Sequence, residues 1–218
     1  MNLAVIKQIV QAEMSHKRSS PYNEIGDKYA HGERTAALAL RLRQLILPND
    51  SSHDDILTVA AWFHDIRNGM ANHCELGAQR TRVLLAGHVP ADELEQICHI
   101  IAVHDNRNHE NNFPDLIKIH QDADHLDHFG TLDIWRSVAY TTGNDRTIKN
   151  ALDFFRDERP AEAKKWRSQL HFDISRRIYD DKEQYMQSFI QRLAVEGAGG
   201  IWNEEALLLR IYMSGAST

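Results

Sequence analysis

The sequence predicts an all-α fold, a single helical bundle with an extra long C-terminal helix. Apolar residues recur every three or four positions in one segment after another, the breaks between segments hold Gly, Pro, Asn and Ser, and no strand-like alternation of any length occurs. The 218 residues, 42% hydrophobic and without a long apolar run, are expected to form one domain spanning 1–218.

Each element has its own signal. Leu3, Ile6, Val10 and Met14 give the first segment one apolar face, and Lys7 and Gln8 make it too polar for a signal-peptide core or a membrane span. Residues 17–26, with Ser19, Ser20 and Pro21, read as a loop placed to border a site. The next helix carries the stripe Thr35, Leu38, Leu42, Leu45, with His31 at its N-terminal end. Pro48 to Ser52 ends it, and Ser52 or Asp54 is expected to cap a helix from Asp54 to Phe63, leaving His53-Asp54 in solvent. A helix from His73 to Ala86 holds Gly77 and Ala78 for close contact and stops at Gly87 to Pro90. Asp92 and Glu95 have the spacing of a capping pair for a helix whose stripe, Leu94, Ile97, Ile101, ends at His104.

The polar stretch 107–112 is a surface loop containing His109, and Phe113 to Gly130 is a helix with Leu116, Ile119, Ala123 and Leu126 inward and His125 and His128 in solvent. Tyr140 to Asp145 reads as a loop, and Thr147 to Phe155 as a short helix. One long helix is expected from Ala161 or Trp166 to Glu196, with Phe172, Tyr179, Met186, Phe189 and Leu193 apolar, and with Arg176, Arg177, Asp180, Asp181 and Lys182 solvated, before Gly197, Gly199 and Gly200 end it. Ile201 to Met213 adds a last helix; its Leu207, Leu208 and Leu209 are too apolar to leave exposed, so they either close the core or contact a second copy of the chain in a homodimer.

The formal net charge of −6 argues against a general nucleic-acid or membrane-surface binder. No Gly-rich phosphate loop of the Walker type is present. Cys74 and Cys98 sit inside helical segments without Cys-x-x-Cys spacing, which suggests reduced thiols and a cytoplasmic setting. The unusual count is 13 histidines.

Counting back from His64 by three or four gives Ala60 or Ala61 and then Leu57, so this imidazole faces the core, with Asp65 directly after it. A single His on an apolar face is ordinarily a hydrogen-bonded core residue, and His-Asp pairs recur at 53–54 and 104–105, so the pair at 64–65 gains meaning only where other ligands converge on it. His31 faces inward from the preceding helix, and Asp124 lies at the margin of the stripe of the helix from Phe113. An inward Asp is costly unless paired. His31, His64, Asp65 and Asp124 together make an N2O2 set suited to a divalent ion such as Mn, Fe, Co, Mg or Zn.

In this order, His31, then His64-Asp65, then Asp124 within the run Asp122 to Gly130, the chain resembles the HD-domain metal-dependent phosphohydrolases, and among them the small bacterial single-domain members. Further matches are Tyr29-Ala30-His31 followed by Arg34, the small and aromatic run into His64-Asp65-Ile66, His73 leading into Gly77-Ala78, Ile100-Ile101 before His104, and Asp-Ala-Asp-x-Leu-Asp at 122–127. The resemblance covers roughly Asp27 to Tyr140, an HD core of about 27–140, and extends to Leu170 to Glu196 within a C-terminal extension of about 145–218. The chain departs at Arg67-Asn68, where many members carry Gly followed by Lys or Asp, and at Asp133, where close members tend to have Gly; Arg136 falls where they place an Arg.

The resemblance implies hydrolysis of a phosphate ester or pyrophosphate, commonly of a nucleotide, by metal-activated water. Asp65 is then expected to bind metal and position the water, and Arg34 is the first choice to stabilise the phosphoryl group, with Arg67, Lys118 and Arg136 behind it. His73 and His104, with Arg136, are candidates for a second metal or for phosphate binding, and His88 competes but reads as a loop residue. The alternatives are an HD-fold diiron oxygenase, a non-catalytic module that senses a nucleotide, and a helical protein whose histidines are structural.

Overall fold

The computed structural model describes residues 1–215. Its helices are α1 (Leu3–Met14), α2 (Asp27–Ile46), α3 (Asp54–Phe63), α4 (His73–Leu85), α5 (Ala91–Val103), α6 (Asp115–Asp127), α7 (Thr131–Gly143), α8 (Ile148–Asp157), α9 (Arg159–Ser168), α10 (Asp173–Gly197) and α11 (Glu204–Gly215). Among the described residues there is no strand, only an isolated bridge between Ala86 and Val89. The fold is all-α, as the periodicity predicts. No helix among the described residues is long and apolar enough to cross a membrane.

Two apolar clusters hold the bundle together. Ile6, Val10 and Met14 of α1 pack with Val59 and Phe63 of α3, Leu85 of α4 and Ile97 and Ile101 of α5. Ala39 and Leu42 of α2, Leu57 of α3, Ile119, Ala123 and Leu126 of α6, and Leu170 and Tyr179 form the second. Helix α3 serves both clusters and is buried nearly all round, consistent with its run Ile56 to Ala61. Its small residues let α2 approach closely: a Cβ on Gly32 would stand 3.0 Å from the Trp62 carbonyl oxygen and 3.2 Å from that of Ala61. Gly77 has a similar use in α4, where a Cβ would lie 3.4 Å from the His64 carbonyl oxygen.

Several sequence expectations are corrected. In α2 the inward stripe runs through Thr35, Ala39 and Leu42, and Leu45 is exposed. Neither Ser52 nor Asp54 caps α3; Asp54 instead accepts from Arg43 Nε and Nη2 at 2.7 and 2.6 Å, so only His53 of that pair is in solvent. Glu95 makes no cap on α5, because Arg82 engages both of its oxygens at 2.8 Å. Helix α7 continues through Tyr140 to Gly143, with Tyr22 packed against Tyr140 and its hydroxyl donating to Asn144 at 3.2 Å.

The single long C-terminal helix is two helices. The chain breaks between Ser168 and Asp173 because the buried carboxylate of Asp122 on α6 accepts from the backbone N–H groups of His171 (2.9 Å) and Phe172 (3.2 Å). That break buries Leu170. It also brings the end of α9 against α6, where His125 Nε2 donates to the Trp166 carbonyl at 3.0 Å. His125 is therefore buried, contrary to expectation, since α6 is covered on both sides. Lys182 also leaves the solvated face of α10, donating to the Phe129 carbonyl at 3.2 Å.

Arg159 joins the C-terminal helices to the rest. It is 2% exposed, reaches Asp133 of α7 at 2.6 Å and Glu183 of α10 at 3.0 Å, and lies 4.9 Å from the Trp166 ring centroid. Asp133 is thus the partner of a buried cation. Removing that cation leaves two acids unpaired, and Arg159→Ala is expected to cost about 3–5 kcal/mol, read as a fall in urea midpoint with an unchanged m-value.

Candidate metal centre

The residues singled out by motif come together between the two apolar clusters, mostly at helix ends. His31 is in the second turn of α2, His64 is the C-cap of α3 with Asp65 beside it, Asp124 is near the end of α6, His73 opens α4, and His104 is the C-cap of α5. Because the C-termini of α3 and α5 carry partial negative charge, their convergence favours a cation.

Hydrogen bonds at the outer nitrogens fix the orientation of the rings. His64 Nδ1 lies 2.8 Å from the Ala61 carbonyl and His104 Nδ1 lies 2.7 Å from the Ile101 carbonyl. A carbonyl only accepts, so each Nδ1 carries the proton and each Nε2 presents a lone pair. His31 Nδ1 donates to Asp127 Oδ2 at 2.7 Å. Arg34 grips that same Asp127 with Nε and Nη2, both at 2.9 Å. This chain of guanidinium, carboxylate and imidazole is the kind of support that orients a metal-ligating histidine.

The inner atoms converge. His31 Nε2 lies 3.1 Å from both His64 Nε2 and Asp124 Oδ1, and His64 Nε2 lies 3.4 Å from Asp124 Oδ1. Asp65 Oδ2 is 3.9 Å from His31 Nε2 and 3.8 Å from His64 Nε2. Donors about 2.0–2.2 Å from one ion stand roughly 3.0–3.5 Å apart; His31, His64 and Asp65 form one group of donor atoms within 4.8 Å of one another and His31, Asp124 and His128 another, so a single ion held by both carboxylates requires them to close in on it. The other carboxylate oxygen, Asp65 Oδ1, faces His73 Nε2 and His104 Nε2 at 3.9 Å each.

Buried charge is balanced locally. Burial would push the His31 ring down, but its hydrogen bonds to Asp124 and Asp127 outweigh that and raise its pKa to about 9. A proton on His31 Nε2 thus satisfies lone pairs that a divalent ion would otherwise satisfy. Burial opposes ionisation of Asp65, but His64 and the Lys28 ammonium, 2.6 Å away, hold it well below the usual carboxylate range. Asp124 is held low in the same way by His64 and Arg107, whose Nη2 donates to Oδ2.

Lys28, Arg107, His120, Asp127 and His128 belong to this site but carry no role in the sequence expectations. His128, expected in solvent, is only partly exposed and lies 3.6 Å from Asp124 Oδ1. His120 is fully buried, neither ring nitrogen has a protein partner, and burial beside His64 pushes its pKa well down. His120, Asp124 and His128 are spaced by four on α6, and Lys28 precedes His31 by three, so helical spacing held a signal for these. Arg107 arrives from a loop and left none. Of the other cations considered, Lys118 lies 4.0 Å from Asp115 on its own helix, and Arg67 sits half-buried in the turn after α3. His88 is exposed in the turn after α4.

A cavity of about 220 Å³ opens beside His31, with Lys28, Arg34, His128, Trp135 and Arg136 in its wall and Ser19 and Asn23 of the N-terminal loop at its edge. Arg136 also lines a larger cleft of about 930 Å³ between α7, α8 and α9.

Solved structures share this architecture. An HD-superfamily hydrolase from Bacillus thuringiensis matches 90% of this chain and 98% of its own, with a TM-score of 0.65 and 21% identity. YpgQ of Bacillus subtilis, in complex with ADP, matches over 87% and 92% with a TM-score of 0.61 and 20% identity. An HD-superfamily hydrolase from an uncultured Thermotogales bacterium matches over 90% and 99%, with a TM-score of 0.59 and 20% identity. No protein-family model matches the sequence, and no curated protein does. At these identities the likeness is one of fold: the chain has the helical fold of the HD-superfamily hydrolases.

Burial beside Arg107 lowers the His125 pKa to about 4, against the ordinary 6.5. The unfolded chain therefore takes up this proton first, so the stability from neutral His125 is complete above pH 6.5 and is lost as the pH falls towards 4. The loss should approach about 3 kcal/mol, and His125→Gln, which keeps a donor for Trp166, should flatten the urea midpoint between pH 6.5 and 4.

Proposed function

We propose that the chain is a divalent-metal-dependent phosphohydrolase that cleaves a phosphate ester or pyrophosphate of a nucleotide. The observation that carries this reading is that Asp65 and Asp124 each lie within 3.1–3.9 Å of His31 Nε2 and His64 Nε2, beside a cavity whose wall includes Lys28, Arg34 and Arg136. The ion held by these four would polarise a phosphoryl oxygen and bring the pKa of a bound water towards neutrality.

The chain's own residues supply the rest. Asp127, gripped by Arg34, keeps the His31 lone pair aimed inward. Lys28, Arg34 and Arg136 set positive charge along the cavity, where the oxygens of a transferring phosphoryl group would gather charge. Arg136 is itself oriented by the His128 carbonyl at 2.6 Å. The nucleotide assignment is supported by the larger cleft beyond Arg136, which offers Tyr140, Phe154 and Trp166 to a planar base, and by the ADP bound to the B. subtilis neighbour.

A second reading, a diiron oxygenase, is favoured by one observation: Asp65 turns one oxygen to His31 and His64 and the other to His73 and His104. Metal analysis together with phosphate and pyrophosphate release from nucleotides in Mn, Co, Mg, Fe or Zn separates the two. On the phosphohydrolase reading the wild type releases product in a metal-dependent way, and Asp65→Ala loses both metal and turnover. Two irons per chain with an oxygen-dependent spectrum and no released phosphate would replace it. Arg136→Ala should lower kcat by about 10²–10³-fold.

A pH dependence follows from His31. Below about pH 9 its ring is protonated in the metal-free chain, and a metal must displace that proton. Apparent Mn²⁺ affinity is therefore expected to rise about tenfold from pH 7 to 8, with about one proton released per ion from this ring, measured by calorimetry in buffers of different ionisation enthalpy.

A further inference from the structure

The two oxygens of Asp124 have separate partners. Oδ1 faces three imidazoles, with His31 Nε2 at 3.1 Å, His64 Nε2 at 3.4 Å and His128 Nε2 at 3.6 Å. Oδ2 accepts from Arg107 Nη2, and Nη1 of the same guanidinium donates to Asp105 Oδ1 at 3.1 Å. The Arg107 side chain is largely buried, and its Nε has no hydrogen-bond partner in the protein. The metal centre therefore meets one oxygen of this carboxylate, and the other is taken by a cation from the loop between α5 and α6.

We propose that Arg107 is a positioning residue that holds Asp124 to one-oxygen ligation and so selects small divalent ions such as Mn²⁺ or Mg²⁺ over Ca²⁺. It rests on the metal-dependent reading above and adds to it what sets the choice of ion. Mg²⁺ takes ligands at about 2.0–2.1 Å in a near-octahedral shell that single carboxylate oxygens can supply, whereas Ca²⁺ collects about six to eight oxygens at about 2.3–2.6 Å and readily takes both oxygens of one carboxylate. With Oδ2 on Arg107, Asp124 offers no second oxygen.

The guanidinium is held in place through the loop that carries it. Gln121 Nε2 donates to the carbonyls of Val103 at 2.8 Å and Asn106 at 3.0 Å, so the residue before Arg107 is tied to α6, the helix of Asp124. Gln121 Oε1 in turn accepts from His171 Nε2 at 2.8 Å, in the break between α9 and α10. On the other side of Arg107, His109 Nε2 donates to the Ser168 carbonyl at 2.7 Å. An arginine on a free loop would give up much rotamer freedom to keep this contact, and here the backbone on both sides is already fixed. The C-terminal helices thus take part in keeping a cation on one oxygen of a ligand.

The test is competition between Mn²⁺ and Ca²⁺ for the metal-free full chain, with free Mn²⁺ read by electron paramagnetic resonance. Arg107→Met keeps the aliphatic stem and frees Oδ2. It should shift the ratio of the two dissociation constants towards Ca²⁺ by at least about tenfold, while Arg107→Lys, which keeps a cation for Oδ2, should stay within about threefold of the wild type. Loss of a positive charge strengthens both ions together and a loosened loop weakens both together, so neither effect moves the ratio. Arg107→Gln, whose amide ends where the arginine Nε stands, is expected to shift the ratio as Arg107→Met does and serves where that variant does not fold. A ratio unchanged in Arg107→Met or Arg107→Gln, or shifted as far in Arg107→Lys, overturns the proposal and leaves the metal centre standing as long as the wild type binds Mn²⁺. A wild type that binds no Mn²⁺ overturns both.

Discussion

Three carboxylates, those of Asp65, Asp124 and Asp127, are buried around one helix crossing, and much of the structure answers to their charge. None could be taken out of water alone without a large desolvation cost. Lys28 meets Asp65, Arg107 meets Asp124, Arg34 meets Asp127, and His31 lies between the last two. The partners come from two different elements, the start of α2 and the loop before α6, so the charge balance also fixes where those elements sit.

The helix crossing that creates the site depends on small side chains. Gly32 and Ala61 let α2 and α3 approach until backbone nearly touches backbone, which brings His31 of one within 3.1 Å of His64 of the other. A larger residue at 32 would separate the rings before it disturbed either apolar cluster. The site is therefore more sensitive to helix spacing than the fold is, because hydrophobic packing tolerates a shift of a few tenths of an ångström and a coordination shell does not.

The sequence made the inward faces of α1 and α5 legible, because period 3.6 is a strong signal wherever one side of a helix is solvated. It failed where that premise failed. Helix α6 is buried on both sides, so His125 and Asp122 look like surface residues by periodicity and are interior ones by packing. The break at 169–172 was hidden for a related reason: no Gly or Pro marks it, and what stops the helix is a carboxylate 49 residues away in sequence, Asp122, capturing the His171 N–H. The inward placing of His31, His64 and Asp124, on helices or at a helix end, could be read from spacing, and Asp65 from its place beside His64. Arg107 could not, since a loop residue has no period and its role exists only once α6 has docked.

Asp65 is where the two sets of donors meet, and its position explains why they are not equivalent. One oxygen faces His31 and His64, deep in the bundle, and His31 in turn borders a cavity lined with Lys28, Arg34 and Arg136. The other faces His73 and His104, at an edge where Cys74 and Asp105 border solvent. A carboxylate shared in this way couples the two sides electrostatically: positive charge gathered at one oxygen draws electron density from the other and weakens it as a donor. Charge on the outer side would then make the inner side a poorer base and a stronger electrophilic centre, which is the direction that favours attack on a phosphoryl group. The deep side has Lys28, Arg34 and Arg136 beside it and the outer side borders solvent, so charge arriving at the outer side would be felt at the inner one across a single side chain.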